Sequence, residues 1–175
     1  EHLFSPMLSV IGRRGLSKIP ADLKPVFLQA AAEATQSQRQ DVPPRSAEAL
    51  EQLGIAGAVV AGEEGLDELS PEGSSLAVSV GCAGLPPRIT PEDAGLPRHP
   101  LTALRGGDAR ENAAALRRLL AGEAGAYRDA VILNAAAALV VAGAAVDLRQ
   151  GAEEAAEAID KGLANALLDC WIAAA

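Results

Sequence analysis

Ile55 to Ser70 reads IAGAVVAGEEGLDELS. Its first six residues, Ile55 to Val60, form an apolar run of strand length, which breaks at Gly62 into a loop rich in glycine and acid. A buried strand ending in such a loop is a common way to display carboxylates at the carboxyl edge of an α/β sheet. Downstream, Leu76 to Val80 (LAVSV) alternates as a second strand, with Gly81 to Gly84 as the turn back. Leu85 to Thr90 contains Pro86-Pro87, which cannot donate to a ladder, so this run is expected only as an edge strand.

Helices dominate after that sheet. Thr90-Pro91-Glu92-Asp93 places a cap, an N1 proline and acids in a first turn. Asp108 and Glu111 form a D-x-x-E variant of the capping box, opening a helix with Leu116, Leu119 and Leu120 on one face. Ala130 to Val146 (AVILNAAAALVVAGAAV) is apolar apart from Asn134. It is shorter than the ~20 residues a bilayer requires, and a helix apolar on all sides suits the centre of a globular domain. A last helix is expected over about Gln150 to Ile172, with Ile159, Leu163, Ala166, Leu167 and Cys170 along a single stripe and Glu157 paired with Lys161 outside it. The fold class expected is α/β, helix-rich, with a small partial sheet.

Residues 1–44 differ in character. Met7 to Ile11 is a short apolar run, Gly12-Arg13-Arg14-Gly15 reads as a loop, and Asp22 to Gln38 is helical in pattern after Pro25. A polar run then enters the breaker Pro43-Pro44, which separates this weakly specified opening from residues 45–175. Ser46 caps a short expected helix through Leu53, ended by Gly54. With no charged and apolar leader, the expected location is cytoplasmic. A start at Glu1 rather than Met agrees with a piece of a longer protein.

Composition narrows the function classes. The chain has 175 residues, 49% hydrophobic and 22% charged, which is globular rather than disordered. Aromatics are 2%, so the core must be built from Ala, Leu, Val and Ile. With 15 Lys and Arg against 23 Asp and Glu the net charge is −8, and no basic stripe exists for a nucleic-acid backbone or an anionic membrane. Cys82 and Cys170 belong to no metal-ligand spacing and read as reduced thiols.

Asp67 and Glu68 are adjacent, so in an extended loop their side chains diverge rather than chelate one ion jointly. Such a pair suits Mg²⁺ whose shell is mostly water and substrate phosphate, or two separate ions. The residues alone read first as a solvated acidic loop. Gly106-Gly107 reads as a tight turn into a helix that Asp108 already caps, with Arg105 free to reach a phosphate. Asn134 reads as a satisfied buried amide that fixes helix–helix register. His2 and His99 lack a partner at catalytic spacing, and His99, between Arg98 and Pro100, is expected at the surface. No catalytic residue is assigned, and no organic cofactor site is found.

In sequence order the motifs are Gly62 to Pro71 (GEEGLDELSP), Ile89 to Leu96 (ITPEDAGL), Leu104 to Asn112 (LRGGDAREN), Leu119 to Glu123 (LLAGE) and Arg128 to Ala137 (RDAVILNAAA). This series resembles the C-terminal part of the anthranilate phosphoribosyltransferase family over about residues 46–172. The resemblance implies the C-terminal α/β portion of the nucleoside phosphorylase/phosphoribosyltransferase-like fold. It implies transfer of phosphoribosyl from 5-phosphoribosyl 1-pyrophosphate to anthranilate in tryptophan biosynthesis, with Mg²⁺. The family's GLDE acids, which bind magnesium, fall on Asp67 and Glu68, and the family's pairing habit admits a homo-oligomer. The GTGGD loop, the KHGN segment and the FNxLGPLxNP stretch of the family do not occur, and Ala61 and Glu64 replace its usual His and Asp. Both substrate sites are therefore expected to be incomplete in this chain alone. A non-catalytic remnant or interaction module of the family is the alternative, and a nucleoside phosphorylase fits the LRGGD series less well.

Overall fold

The computed structural model describes residues 57–82 and 85–174. The expected elements within residues 1–44, the Ser46–Leu53 helix, the Ile55–Ala56 start of the first strand and His2 lie outside the described residues. Strand β1 is Gly57–Gly62, β2 is Ser75–Val80 and β3 is Arg88–Ile89. They form one antiparallel sheet in the order β1-β2-β3. Gly57 pairs with Val80 and Gly62 with Ser75, and Ser75 and Leu76 then pair with Ile89 and Arg88. The double proline confines β3 to two residues at the edge, because only the chain beyond Pro87 regains an N–H to donate.

The acidic loop, residues 63–74, joins the two expected strands as antiparallel neighbours. An apolar run bounded by glycine has the same pattern in a parallel or an antiparallel sheet, and only its partner decides.

Two short 3-10 helices, Pro91–Ala94 and Leu101–Leu104, lead from the sheet to four α-helices. These are α1, Ala109–Leu120; α2, Ala126–Val141; α3, Leu148–Asp160; and α4, Leu163–Ala174. Asp108 caps α1 as expected, its carboxylate accepting from the Glu111 N–H at 2.8 Å while Glu111 accepts from the Asp108 N–H at 3.1 Å. Helix α2 starts four residues earlier than its apolar run and stops at Val141, since Gly143 turns into the left-handed region at φ 71°. The expected last helix is two helices. Gly162, at φ 73°, ends the first of them just after the Glu157–Lys161 pair, which forms as expected.

The core joins all these layers. Leu69 from the acidic loop, Ala77 and Ile89 from the sheet, Leu119 and Leu120 from α1, Ile132, Leu133, Ala136 and Val140 from α2, and Leu148, Ala152, Ala155 and Ile159 from α3 form one buried cluster. Small residues let α2 and α3 approach closely: a Cβ built on Gly151 would lie 2.8 Å from the Ala136 carbonyl oxygen. No helix among the described residues is long and apolar enough to cross a membrane.

Candidate metal centre

The loop after β1 is held at both ends. The Gly62 N–H donates to the Leu66 carbonyl at 3.0 Å, and the Gly65 N–H donates to the Gly62 carbonyl at 2.9 Å. Gly65 makes that tight turn at φ 101°, a region open to glycine at no steric cost. Glu63 extends the ladder to the Ser74 carbonyl at 2.9 Å, and its carboxylate meets Arg88 of β3 at 2.5 Å. Asp67 and Glu68 come next. Both are exposed, and neither has a hydrogen bond or ion pair among the described residues.

Beyond them the chain dives into the core. Leu69 is fully buried, and both of its backbone polar groups are taken by Asn134 of α2. The Leu69 N–H donates to Asn134 Oδ1 at 2.9 Å, and Asn134 Nδ2 donates to the Leu69 carbonyl at 3.2 Å and to the Ala130 carbonyl at 3.0 Å. Asn134 is satisfied as expected, but it is half-buried rather than buried, and it ties a loop to a helix rather than setting helix–helix register. Ser70 and Ser75 close the next turn: the Ser70 N–H donates to Ser75 Oγ at 2.8 Å, and Ser70 Oγ accepts from the N–H groups of Glu72 and Gly73.

His99 is not the free surface residue expected. Its side chain and that of Asp129, in the first turn of α2, are only 23% and 20% exposed, with Nε2 2.6 Å from Oδ2. Its backbone N–H also donates to the Pro71 carbonyl at 2.8 Å. Arg98 donates to the Glu72 carbonyl at 3.1 Å and ion-pairs with Glu92 at 2.6 Å. Segment 98–101 thus braces the far side of the 70–73 turn. No motif spacing announces these contacts, because His99 and Asp129 are 30 residues apart in sequence.

Two adjacent exposed carboxylates fit a hard divalent cation that keeps most of its water. The described residues offer no cluster of three His, Cys, Asp or Glu side chains that would form a closed protein cage. A cation such as Mg²⁺, which keeps most of its water, asks no more of the protein than this pair of oxygen donors.

Residues 34–165 match the model of the family described as "Glycosyl transferase family, a/b domain". The chain belongs to that family. The chain is 49% identical over 177 residues to an anthranilate phosphoribosyltransferase of Novosphingobium aromaticivorans, covering 97% of the chain and 52% of that protein. The similarity enters residues 1–44, beyond the stretch that the motifs alone delimit. Among solved structures, the anthranilate phosphoribosyltransferase of Thermus thermophilus is similar with a TM-score of 0.66 and 46% identity, over 73% of this chain and 38% of that one. The Saccharomyces cerevisiae anthranilate phosphoribosyltransferase in complex with PRPP and Mg gives 0.62 and 25% identity, over 69% and 36%. The chain thus spans about half or less of the length of these relatives.

Elsewhere among the described residues, a groove of about 550 Å³ lies between the 103–106 turn, one face of α1 and the start of α2, lined among others by Leu104, Arg105, Gly106, Asn112, Arg118 and Tyr127. Asp67 and Glu68 do not line it. Gly106-Gly107 is the capped turn that the sequence implies, with one addition: Asn112 Oδ1 accepts from the Gly107 N–H at 2.9 Å. That bond and the capping box take the N–H groups of Gly107, Asp108 and Glu111. Arg118 is already paired with Glu123 at 3.3 Å. Cys82 and Cys170 are both free thiols, and Cys82 Sγ lies 3.1 Å from the Gly57 carbonyl oxygen.

Proposed function

We propose that this chain supplies the metal-binding part of a phosphoribosyl transferase that moves phosphoribosyl from 5-phosphoribosyl 1-pyrophosphate to the amine of anthranilate, a cytoplasmic step of tryptophan biosynthesis. The observation that carries the reading is the exposed Asp67–Glu68 pair, held between fixed backbone points in a chain similar to a PRPP- and Mg-bound relative. Asp67 and Glu68 are the residues that would hold Mg²⁺. Held by these two carboxylates, Mg²⁺ would supply positive charge to offset the negative charge that grows on a departing pyrophosphate. Both side chains are exposed and present oxygen to the ion without a large desolvation cost.

The same proposal places a domain boundary at residues 44–45 and admits a homo-oligomer. The 175 residues contain no GTGGD-type loop, which favours the second reading for the chain by itself: a family scaffold without turnover of its own. Calorimetric titration with Mg²⁺ and 5-phosphoribosyl 1-pyrophosphate, followed by an assay for loss of anthranilate fluorescence, separates the two. Weak Mg²⁺ binding without turnover is expected, and Asp67→Asn with Glu68→Gln should abolish that binding. Turnover by the chain alone would refute its incompleteness; unchanged Mg²⁺ binding in the double variant would remove the site assignment.

A further inference from the structure

We infer that Asn134 is a positioning residue for the carboxylate pair, a role that rests on reading Asp67 and Glu68 as the Mg²⁺ ligands. The pair occupies a two-residue span between two anchors. On one side the Leu66 carbonyl is bound by the Gly62 N–H at 3.0 Å. On the other, Asn134 grips both the N–H and the carbonyl of Leu69, while the Leu69 side chain is fully buried. With both flanking residues fixed, the direction in which Asp67 and Glu68 leave the backbone is set before any ion arrives.

The helix itself has no need of this side chain. Among apolar neighbours a polar amide costs stability unless every hydrogen bond is made, and leucine or alanine is the better helix former. Asn134 uses both of its N–H donors and its oxygen, and two of the three bonds reach 65 residues back to the loop. Its own carboxamide never needs to touch the ion. Groups that orient ligands from behind in this way typically change metal affinity by about 10- to 100-fold when removed.

The test uses the full chain, with Mn²⁺ as a paramagnetic stand-in for Mg²⁺ read by electron paramagnetic resonance, and amide hydrogen exchange at Leu69 read by NMR. Asn134→Leu is expected to weaken Mn²⁺ binding about 10-fold and to speed exchange of the Leu69 N–H, with Asn134→Ala as the second variant. Val140→Ala removes buried volume from the same helix, six residues beyond Asn134 and with no hydrogen bond to the loop at stake, and should leave Mn²⁺ affinity unchanged. Folded Asn134 variants with wild-type affinity would overturn the inference, as would an equal loss in Val140→Ala. Rapid exchange of the Leu69 N–H in the wild type would overturn it even if both Asn134 variants failed to fold. Absence of Mn²⁺ binding in the wild type, or its persistence in Asp67→Asn/Glu68→Gln, would instead sink the metal reading and this inference with it.

Discussion

Asp108 and Glu92 show what single carboxylates do here. Asp108→Ala removes the acceptor for the Glu111 N–H at the start of α1 and should lower stability by about 1 kcal/mol, read as a shifted midpoint in urea unfolding. Glu92 is held down to about 2 from an ordinary 4.5, chiefly by its hydrogen bond from the Arg98 guanidinium. Because the folded value is the depressed one, the pair's contribution is present above about 4.5 and is lost as the pH falls towards 2. Both groups lie at the surface, so the effect on stability is small and screened by salt. Carboxyl ¹³C titration should show Glu92 rising towards its ordinary value in Arg98→Ala, while its remaining hydrogen bonds still hold it down in part. The Asp108 cap was legible because its partner stands three residues away. His99 was not, since Asp129 becomes its partner only when α2 docks. Asn134 falls between: its odd polarity among alanines was visible, while the loop it grips was not.

At the level of elements, the sequence carried period and composition but not partners or breaks. Strand-length runs around the acidic loop were plain, while their antiparallel pairing was not, because pairing is decided across the sheet. The stripe from Ile159 to Cys170 kept helical spacing straight through Lys161-Gly162. A glycine inside a helical pattern costs only about 1 kcal/mol against alanine, so nothing local marks a break until the left-handed φ of Gly162 is seen. Gly151 supplies the matching prediction. Replacing it with alanine raises helix propensity by about 1 kcal/mol, but the new Cβ would sit 2.8 Å from the Ala136 carbonyl oxygen and 2.9 Å from its Cα. Backbone atoms cannot rotate away, so α2 and α3 must part, and overpacking of this kind costs about 1–3 kcal/mol. Gly151→Ala should therefore lower thermal stability despite its better propensity; an unchanged or raised midpoint would show that the two helices separate without loss.

For the molecule as a whole, the informative surface is α4. Leu163, Leu167, Trp171 and Ile172 are 62%, 52%, 65% and 59% exposed, and the first three stand one helical turn apart along one row. The stripe was legible, but buried and exposed stripes share one spacing, and the sequence suggested an inward face. Only Ile159, in α3, meets the core fully. An apolar row of this kind favours association, while a net charge of −8 on each copy opposes it. The two effects separate with salt. If the row drives the homo-oligomer proposed above, raising ionic strength should screen the repulsion and increase the associated fraction in sedimentation velocity. Leu163→Glu with Trp171→Glu should leave one slow species at all concentrations, because glutamate keeps helix propensity while removing the apolar row. Trp171 is the chain's one tryptophan, so its emission reports directly: water-like in dilute protein, and shifted to the blue as copies meet. A wild type that sediments as a single monomer at every concentration and salt would mean that the row does not pair with its own kind.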